Sequence, residues 1–311
     1  MESLNRMAIE LADEALEFAE ELAVTPHELP NGATVIDFGV EADGGVEAGL
    51  LLTDLQTAGL ATVQTRMDAV DGAPIPHVEL STDHPGLALL GAQKAGWELR
   101  TEDFEGLGSG PARALVAEET EYQRLEYVDS FDLAVLAVES ESLPTAAAAA
   151  TVADRADVTP EAVYLPAYRT ASVAGSVSGA GRAAELAVFR LFELGYDPQD
   201  VLSATASAPI APVGESEERA MGRTTDSVVY GGQVHLTVRR DHDALEDVVS
   251  TAAVTYGDPF EAIYERVDWE MADIDPAAFG PAQVTVDVRG GPTYTAGDVH
   301  ESILAESFDL A

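Results

Sequence analysis

The sequence predicts a mixed α/β (α+β) fold, two α/β domains each with a mixed sheet, and three observations carry that expectation. Short apolar runs of strand length alternate with segments whose apolar side chains recur at helical spacing, without the strict strand–helix–strand rhythm of a purely parallel sheet. At 311 residues the chain has room for two hydrophobic cores. Its hydrophobic content of 46% is that of a folded protein, and its acidic residues are spread among periodic segments rather than gathered in a tail. The division expected is residues 1–95 with 280–311 as the first domain and 96–279 as the second.

From the start, Met1 to Val24 places Leu4, Met7, Leu11, Ala15, Phe18 and Leu22 at helical spacing. It lacks the basic start and continuous apolar core of a secretory signal. After the turn Pro30-Asn31-Gly32 comes a strand over Ala33–Val40, then a glycine-punctuated acidic segment before Leu50-Leu51-Leu52. Gly59–Thr65 and His77–Ser81 read as strands, and Pro85–Ala95 as a helix. The loop Gly106–Pro111 leads to a helix from about Ala112, Asp132–Val138 has the unbroken apolar character of a buried strand, and Ala146–Asp154 is a helix. Ala162–Leu165 is a further strand. Val201–Ala208 with Pro209 and Pro212 suggests a rigid connector. Val228–Tyr230 and Val234–Val238 suggest a hairpin across Gly231-Gly232, and Gln283–Val288 with Thr293–Thr295 a second one across Gly290-Gly291-Pro292. Asp243–Thr251, Pro259–Val267 and Val299–Glu306 read as helices.

Charge and composition exclude several classes. A formal net charge of -40, from 56 acidic and 16 basic residues, makes nucleic acid and anionic membrane unsuitable partners. It suits concentrated salt, where the Debye length falls to about 3 Å at 1 M and self-repulsion is screened. The absence of cysteine removes disulfides, thiolate metal ligands and a cysteine nucleophile. Six histidines without H-x-x-x-H spacing point to no metal site, and no G-x-S-x-G elbow is present. No apolar run reaches 18 residues, so the expected location is the cytoplasm.

The chemistry centres on Thr170–Glu185, T-A-S-V-A-G-S-V-S-G-A-G-R-A-A-E, a strand-to-helix crossing built from small residues that allow close backbone approach. Arg182 and Glu185, three apart at a helix start, share one face. Ordinary surface decoration explains such a pair too, at about 0.2–0.5 kcal/mol. Gly179–Ala184 also fits the dinucleotide fingerprint G-x-G-x-x-A, but some way past its strand instead of directly after it. The Gly106–Pro111 loop can cradle an anion on backbone N–H groups with Arg113 beside it, although a tight turn needs the same small residues. Glu139, where a strand of the buried kind stops, is positioned for a ligand. A bidentate carboxylate there matches the adjacent N–H donors of an amino-pyrimidinone edge; a solvated loop acid is the alternative.

Four blocks, G-L-G-S-G-P-A-R-A-L at Gly106–Leu115, A-P-I-A-P-V at Ala208–Val213, A-M-G-R-T at Ala220–Thr224 and Tyr230-Gly231-Gly232, resemble the archaeal-type methenyltetrahydromethanopterin cyclohydrolase family. The likeness extends from V-I-D-F-G-V-E-A at Val35–Ala42 to E-S-F at Glu306–Phe308, nearly the whole chain. It implies two α/β domains with a pocket between them, a homotrimer, and hydrolysis of 5,10-methenyl-tetrahydromethanopterin, or its tetrahydrofolate analogue, to a formyl derivative in one-carbon metabolism. No cofactor is consumed, because the tetrahydropterin carrier is itself the substrate. Matched residue by residue, the resemblance makes Glu185 the general base and Arg182 its partner. It assigns substrate binding to Ser109, Gly110, Arg113, Glu139, Thr170, Ser172, Ser176 and Asp226. Tyr168-Arg169 before Thr170, Ser178 where a glutamine is usual, and Thr225 where asparagine is usual depart from the family and bear on which carrier is used. A non-catalytic pterin-binding or scaffold homologue is the alternative, and the retained Arg182 and Glu185 weigh against it.

Overall fold

The computed structural model describes residues 3–269 and 273–310. Helix α1 (Leu4–Glu17) starts where the Ser3 hydroxyl accepts from the Arg6 N–H, and it buries Leu4, Ala8, Ile9, Ala12 and Ala15 along one face. The single helix expected over Met1–Val24 breaks at Phe18, before α2 (Ala19–Leu22); residues 1–2 lie outside the described residues. Strand β1 (Thr25–Glu28), exposed and carrying Pro26, pairs antiparallel with β2 (Thr34–Gly39). It lies at the sheet edge, where a missing N–H is tolerated. Helix α3 (Val46–Gln56) follows. Strands β3 (Thr62–Val70) and β4 (Ala73–Thr82) then form a hairpin whose tip, Asp71-Gly72, has positive φ at both residues, the two-residue turn that matches strand twist.

A π-helical segment, Gly86–Gln93, leads to β5 (Ala95–Arg100) and β6 (Glu105–Ser109), so most of the expected Gly106–Pro111 loop is strand. Helices α4 (Ala112–Val116) and α5 (Thr120–Leu125) are short. The expected strand over Asp132–Val138 is split at Leu136 into β7 (Ala134–Val135) and β8 (Ala137–Glu139). After α6 (Ala146–Ala156) and β9 (Val163–Tyr168), α7 (Val173–Ala180) and α8 (Ala183–Glu193) follow almost without a break.

Three expectations fail in the remainder. Val201–Ala208 is not a connector but the body of β10 (Val201–Pro209); its proline sits on the last residue, where the ladder is ending. Val228–Tyr230 is not a strand but the last turn of α9 (Glu217–Gly231), a helix capped by Ser216 with Glu217 and Glu218 in its first turn. Asp243–Thr251 forms turns and a 3-10 turn, because Ser250 N–H is held by the Pro281 carbonyl and its hydroxyl by that of Val229. The chain closes with β11 (Gln233–Val238), α10 (Phe260–Arg266), the hairpin β12 (Gln283–Val288) and β13 (Thr293–Gly297), and α11 (Glu301–Ser307).

Both sheets are mixed. One has seven strands in the order β1-β2-β9-β8-β6-β5, with β7 also on β9; β2, β7 and β8 run parallel to β9 and the other pairs antiparallel. The other has six, β13-β12-β11-β10-β4-β3, in which only β11 and β12 are parallel. These pairings set the two compact units, Met1–Ala61 with Leu87–Ser178, and Thr62–Gly86 with Gly179–Ala311. That division differs from the expected one: β12 pairs with β11, which takes residues 280–311 into the second unit, β4 pairs with β10, which takes the β3–β4 hairpin there, and β8 and β9 tie residues 96–178 to β2.

In the first unit one core joins α1 and α3 to Ile36 and Phe38, and a second joins α6 to Val35 and Leu165. The alternation of Val35 with Ile36 gives β2 an apolar side chain on each face. Leu52 and Leu55 of α3 are buried, each worth about 1.5–3 kcal/mol of transfer free energy. In the second unit Tyr230, Phe260, Tyr264 and Leu304 join α9, α10 and α11. No helix among the described residues is long and apolar enough to cross a membrane.

Candidate active site

Within the first unit, the carboxyl end of β8 presents Glu139, and the carboxyl end of its parallel neighbour β9 presents Tyr168 and Thr170. The Thr170 hydroxyl donates to Glu139 Oε1 in a short hydrogen bond, and the Tyr168 hydroxyl lies 3.5 Å from Oε2. Behind Tyr168 is Gln56, fully buried at the end of α3. Its Nε2 donates to the Tyr168 oxygen at 3.3 Å and to Ser109 Oγ at 3.2 Å, while its Oε1 accepts from Ser178 Oγ at 2.9 Å. Gly49 makes this reach possible: a Cβ there would stand 2.6 Å from the Val177 Cβ, so only glycine lets α3 lie this close to α7.

Ser172 opens α7, its hydroxyl donating to the Arg169 carbonyl at 2.8 Å and accepting from the Gly175 N–H at 2.9 Å. Ser176, one turn on, is buried, and its hydroxyl has no hydrogen-bond partner among the described residues. Thus Glu139 and Thr170 are brought into contact, Ser109 joins them through Gln56 and Tyr168, and Ser172 and Ser176 share the first turns of α7.

Arg113 is placed differently from the expectation. Its side chain is fully buried, and every N–H has an acceptor: the carbonyls of Leu90, Ala92 and Lys94, and both oxygens of Glu119. It closes the carbonyl end of the π-helical segment Gly86–Gln93, leaving no donor for an anion. Gly110 likewise spends its N–H on the Ala92 carbonyl, and its φ of 117° is why glycine is needed there. Alongside, Lys94 pairs with the buried Glu121 at 3.0 Å.

Within the second unit, Arg182 is the N-cap of α8 and Glu185 lies in its first turn, where the helix dipole favours a carboxylate. Their separation is 2.9 Å between Arg182 Nη2 and Glu185 Oε2. Glu185 is only 2% exposed, and Oε2 has no hydrogen bond of good geometry, so the ion pair is what offsets its burial.

Asp226 serves another purpose. Its Oδ1 accepts from the Phe260 N–H at 2.8 Å and its Oδ2 from the Ser307 hydroxyl at 2.6 Å, which fastens α10 and α11 to α9. Burial pushes its carboxyl up to about 7, against these two hydrogen bonds, which pull it down. Each oxygen accepts a bond from a neighbouring helix, so Asp226 acts as a packing anchor.

The chain matches the family described as Cyclohydrolase (MCH) over residues 3–308. It is a member of that family. It is similar to the methenyltetrahydromethanopterin cyclohydrolase of Halobacterium salinarum, with 64% identity over 311 residues and 100% of both chains covered. Proteins of the same name from Methanoculleus marisnigri and Methanothermobacter marburgensis are each 38% identical, over 312 residues (99% of both chains) and 320 residues (100% of both) respectively.

Membership in the cyclohydrolase family gives the departures from its pattern a structural setting. Ser178 is buried and its hydroxyl is committed to Gln56, so it completes an internal network. Thr225 bonds the Met221 carbonyl at 2.8 Å and the Tyr264 hydroxyl at 3.0 Å, inside the α9–α10 contact. Sequence reasoning missed Gln56 and the hydroxyl role of Tyr168. A signal for Gln56 existed: it stands four residues after Leu52 on the apolar face of α3, and an amide in an apolar stripe demands polar partners.

Proposed function

We propose that this cyclohydrolase-family chain opens the methenyl bridge of 5,10-methenyl-tetrahydromethanopterin, with Glu185 as general base. The reading is supported above all by the buried Arg182–Glu185 pair, found in a chain 64% identical to the Halobacterium enzyme. The bridging carbon of the substrate lies between two nitrogens that share a positive charge, so it is electrophilic without a covalent nucleophile. Water adds to it and Glu185 takes the proton; the same carboxyl then returns a proton to the departing nitrogen as one carbon–nitrogen bond opens. The product is the formyl derivative, and one proton is released overall. Arg182, 2.9 Å away, keeps the Glu185 side chain oriented between the two transfers.

Glu139 takes the other role, accepting the adjacent N–H donors of the pterin ring as a bidentate carboxylate. Thr170 holds one of its oxygens for that purpose. The setting that belongs to this reading is the homotrimer that the family resemblance implies, in a salt-rich cytoplasm; the net charge of -40 supports the salt alone. Following loss of methenyl absorbance in high salt, with the methanopterin and folate substrates in parallel, tests the reaction and selects the carrier. No turnover of either substrate by folded protein would overturn it in favour of a binding or scaffold protein.

A further inference from the structure

The buried amide of Gln56 is a costly group to place between two helices and a strand, and nothing in the reaction as derived employs it. Its three polar contacts use both N–H donors and the carbonyl acceptor, so its orientation decides the direction of every hydroxyl around it. Because Nε2 donates to the Tyr168 oxygen, that phenol cannot spend its own proton on Gln56. Its hydroxyl faces Glu139 Oε2 instead, at 3.5 Å, the outer limit of a hydrogen bond and one able to shorten when a ligand engages the carboxylate. Thr170 holds the other oxygen. The opposite amide orientation would turn the phenol proton toward Gln56 and away from Oε2.

We infer that Gln56 is a positioning residue for substrate binding: acting through Tyr168, it aims the Glu139 carboxylate at the pterin ring. Ser178 completes the device by donating to the Gln56 carbonyl, which fixes the amide the right way round. The small side chain at 178 thus has a use of its own, since the serine hydroxyl supplies the one donor Gln56 lacks. The inference rests on the proposed role of Glu139, and it extends that role to a group that never touches substrate.

The test compares three variants in high salt by steady-state turnover of the methenyl substrate, with circular dichroism to establish folding. Glu139→Gln examines the underlying reading. Tyr168→Phe removes only the phenol donor, and Gln56→Met keeps volume while removing the amide. If Gln56 acts through Tyr168, each of the last two raises KM about 5- to 20-fold with kcat changed less than threefold. The double variant should then be no worse than the more affected single one, because both break the same link. A merely structural role predicts lowered thermal midpoints with KM unchanged. Should Gln56→Met fail to fold, Tyr168→Phe still decides: KM within twofold of wild type overturns the inference. KM effects that multiply in the double variant overturn it too. An unchanged KM for Glu139→Gln would instead overturn the reading of Glu139 as the pterin acceptor, a separate failure.

Discussion

The carboxylates of Glu139 and Glu185 are both held by their surroundings, and in opposite ways. Glu139 has hydroxyl groups facing both oxygens, one of them backed by a buried amide. Glu185 has a cation on one oxygen and no hydrogen bond of good geometry there. A carboxylate surrounded by donors is a fixed acceptor, suited to recognition. One that is desolvated and paired with a single charge keeps a lone pair in reserve, which is what proton transfer requires. On the proposed reading, these surroundings suit Glu139 to recognition and Glu185 to proton transfer.

The sharpest break of this comparison is Glu185→Gln. It preserves shape but takes no proton from water, so kcat should fall roughly 10²–10⁴-fold with KM nearly constant. A folded variant within fivefold of wild-type turnover would end the assignment of Glu185 as base. Glu139→Gln should show the reverse pattern, a KM about 10- to 100-fold higher from the loss of charge-assisted hydrogen bonds, with kcat altered much less. If instead kcat collapses and KM holds, the two carboxylates have exchanged roles.

Lower salt tests what both regions share. Repulsion among 56 acidic residues reaches about 10 Å in about 0.1 M salt, against about 3 Å at 1 M, and activity and helical circular dichroism are expected to decline together on dialysis to that concentration. Retention of both would remove the saline setting from the proposed function.

The smallest effect concerns Asp226, a third buried carboxyl, which serves packing. Its folded pKa of about 7 lies above the ordinary carboxylate value, so its contribution to stability is complete below about pH 4 and is lost as pH rises through 7. Asp226→Asn mimics the neutral form, so its stability relative to wild type should rise by roughly 1–3 kcal/mol between pH 5 and pH 8. Urea midpoints at the two pH values measure this, and a relative stability that falls instead would show that the ionised form is the one the packing favours.

How far the sequence reached follows from where the information lies. Val35–Phe38, Val163–Leu165 and the β12–β13 hairpin were legible because their apolar pattern and turn residues are local. Strand β10 was hidden by its small residues and closing prolines, and the last turn of α9 by Val228-Val229-Tyr230, whose β-branched and aromatic side chains prefer strands; the Ser216 cap was the better guide. Of the site, the Arg182–Glu185 pair was readable because its members are three apart on one helix. The setting of Arg113 was not readable because its acceptors come from residues 90–94 and 119, which only the fold brings together. Gln56 was unreadable as a partner of Tyr168 for the same reason: 112 positions separate them.

The burial of Lys94 beside Glu121 reaches into handling at the bench. It is the sole lysine in the chain, and its side chain is only 15% exposed. Side-chain amine chemistry therefore has almost nowhere to act: dyes, biotin esters and dialdehyde cross-linkers aimed at ε-amines will find one shielded target, so a failure to cross-link copies says nothing about assembly. Carbodiimide coupling through the abundant surface carboxylates is the conjugation this protein invites.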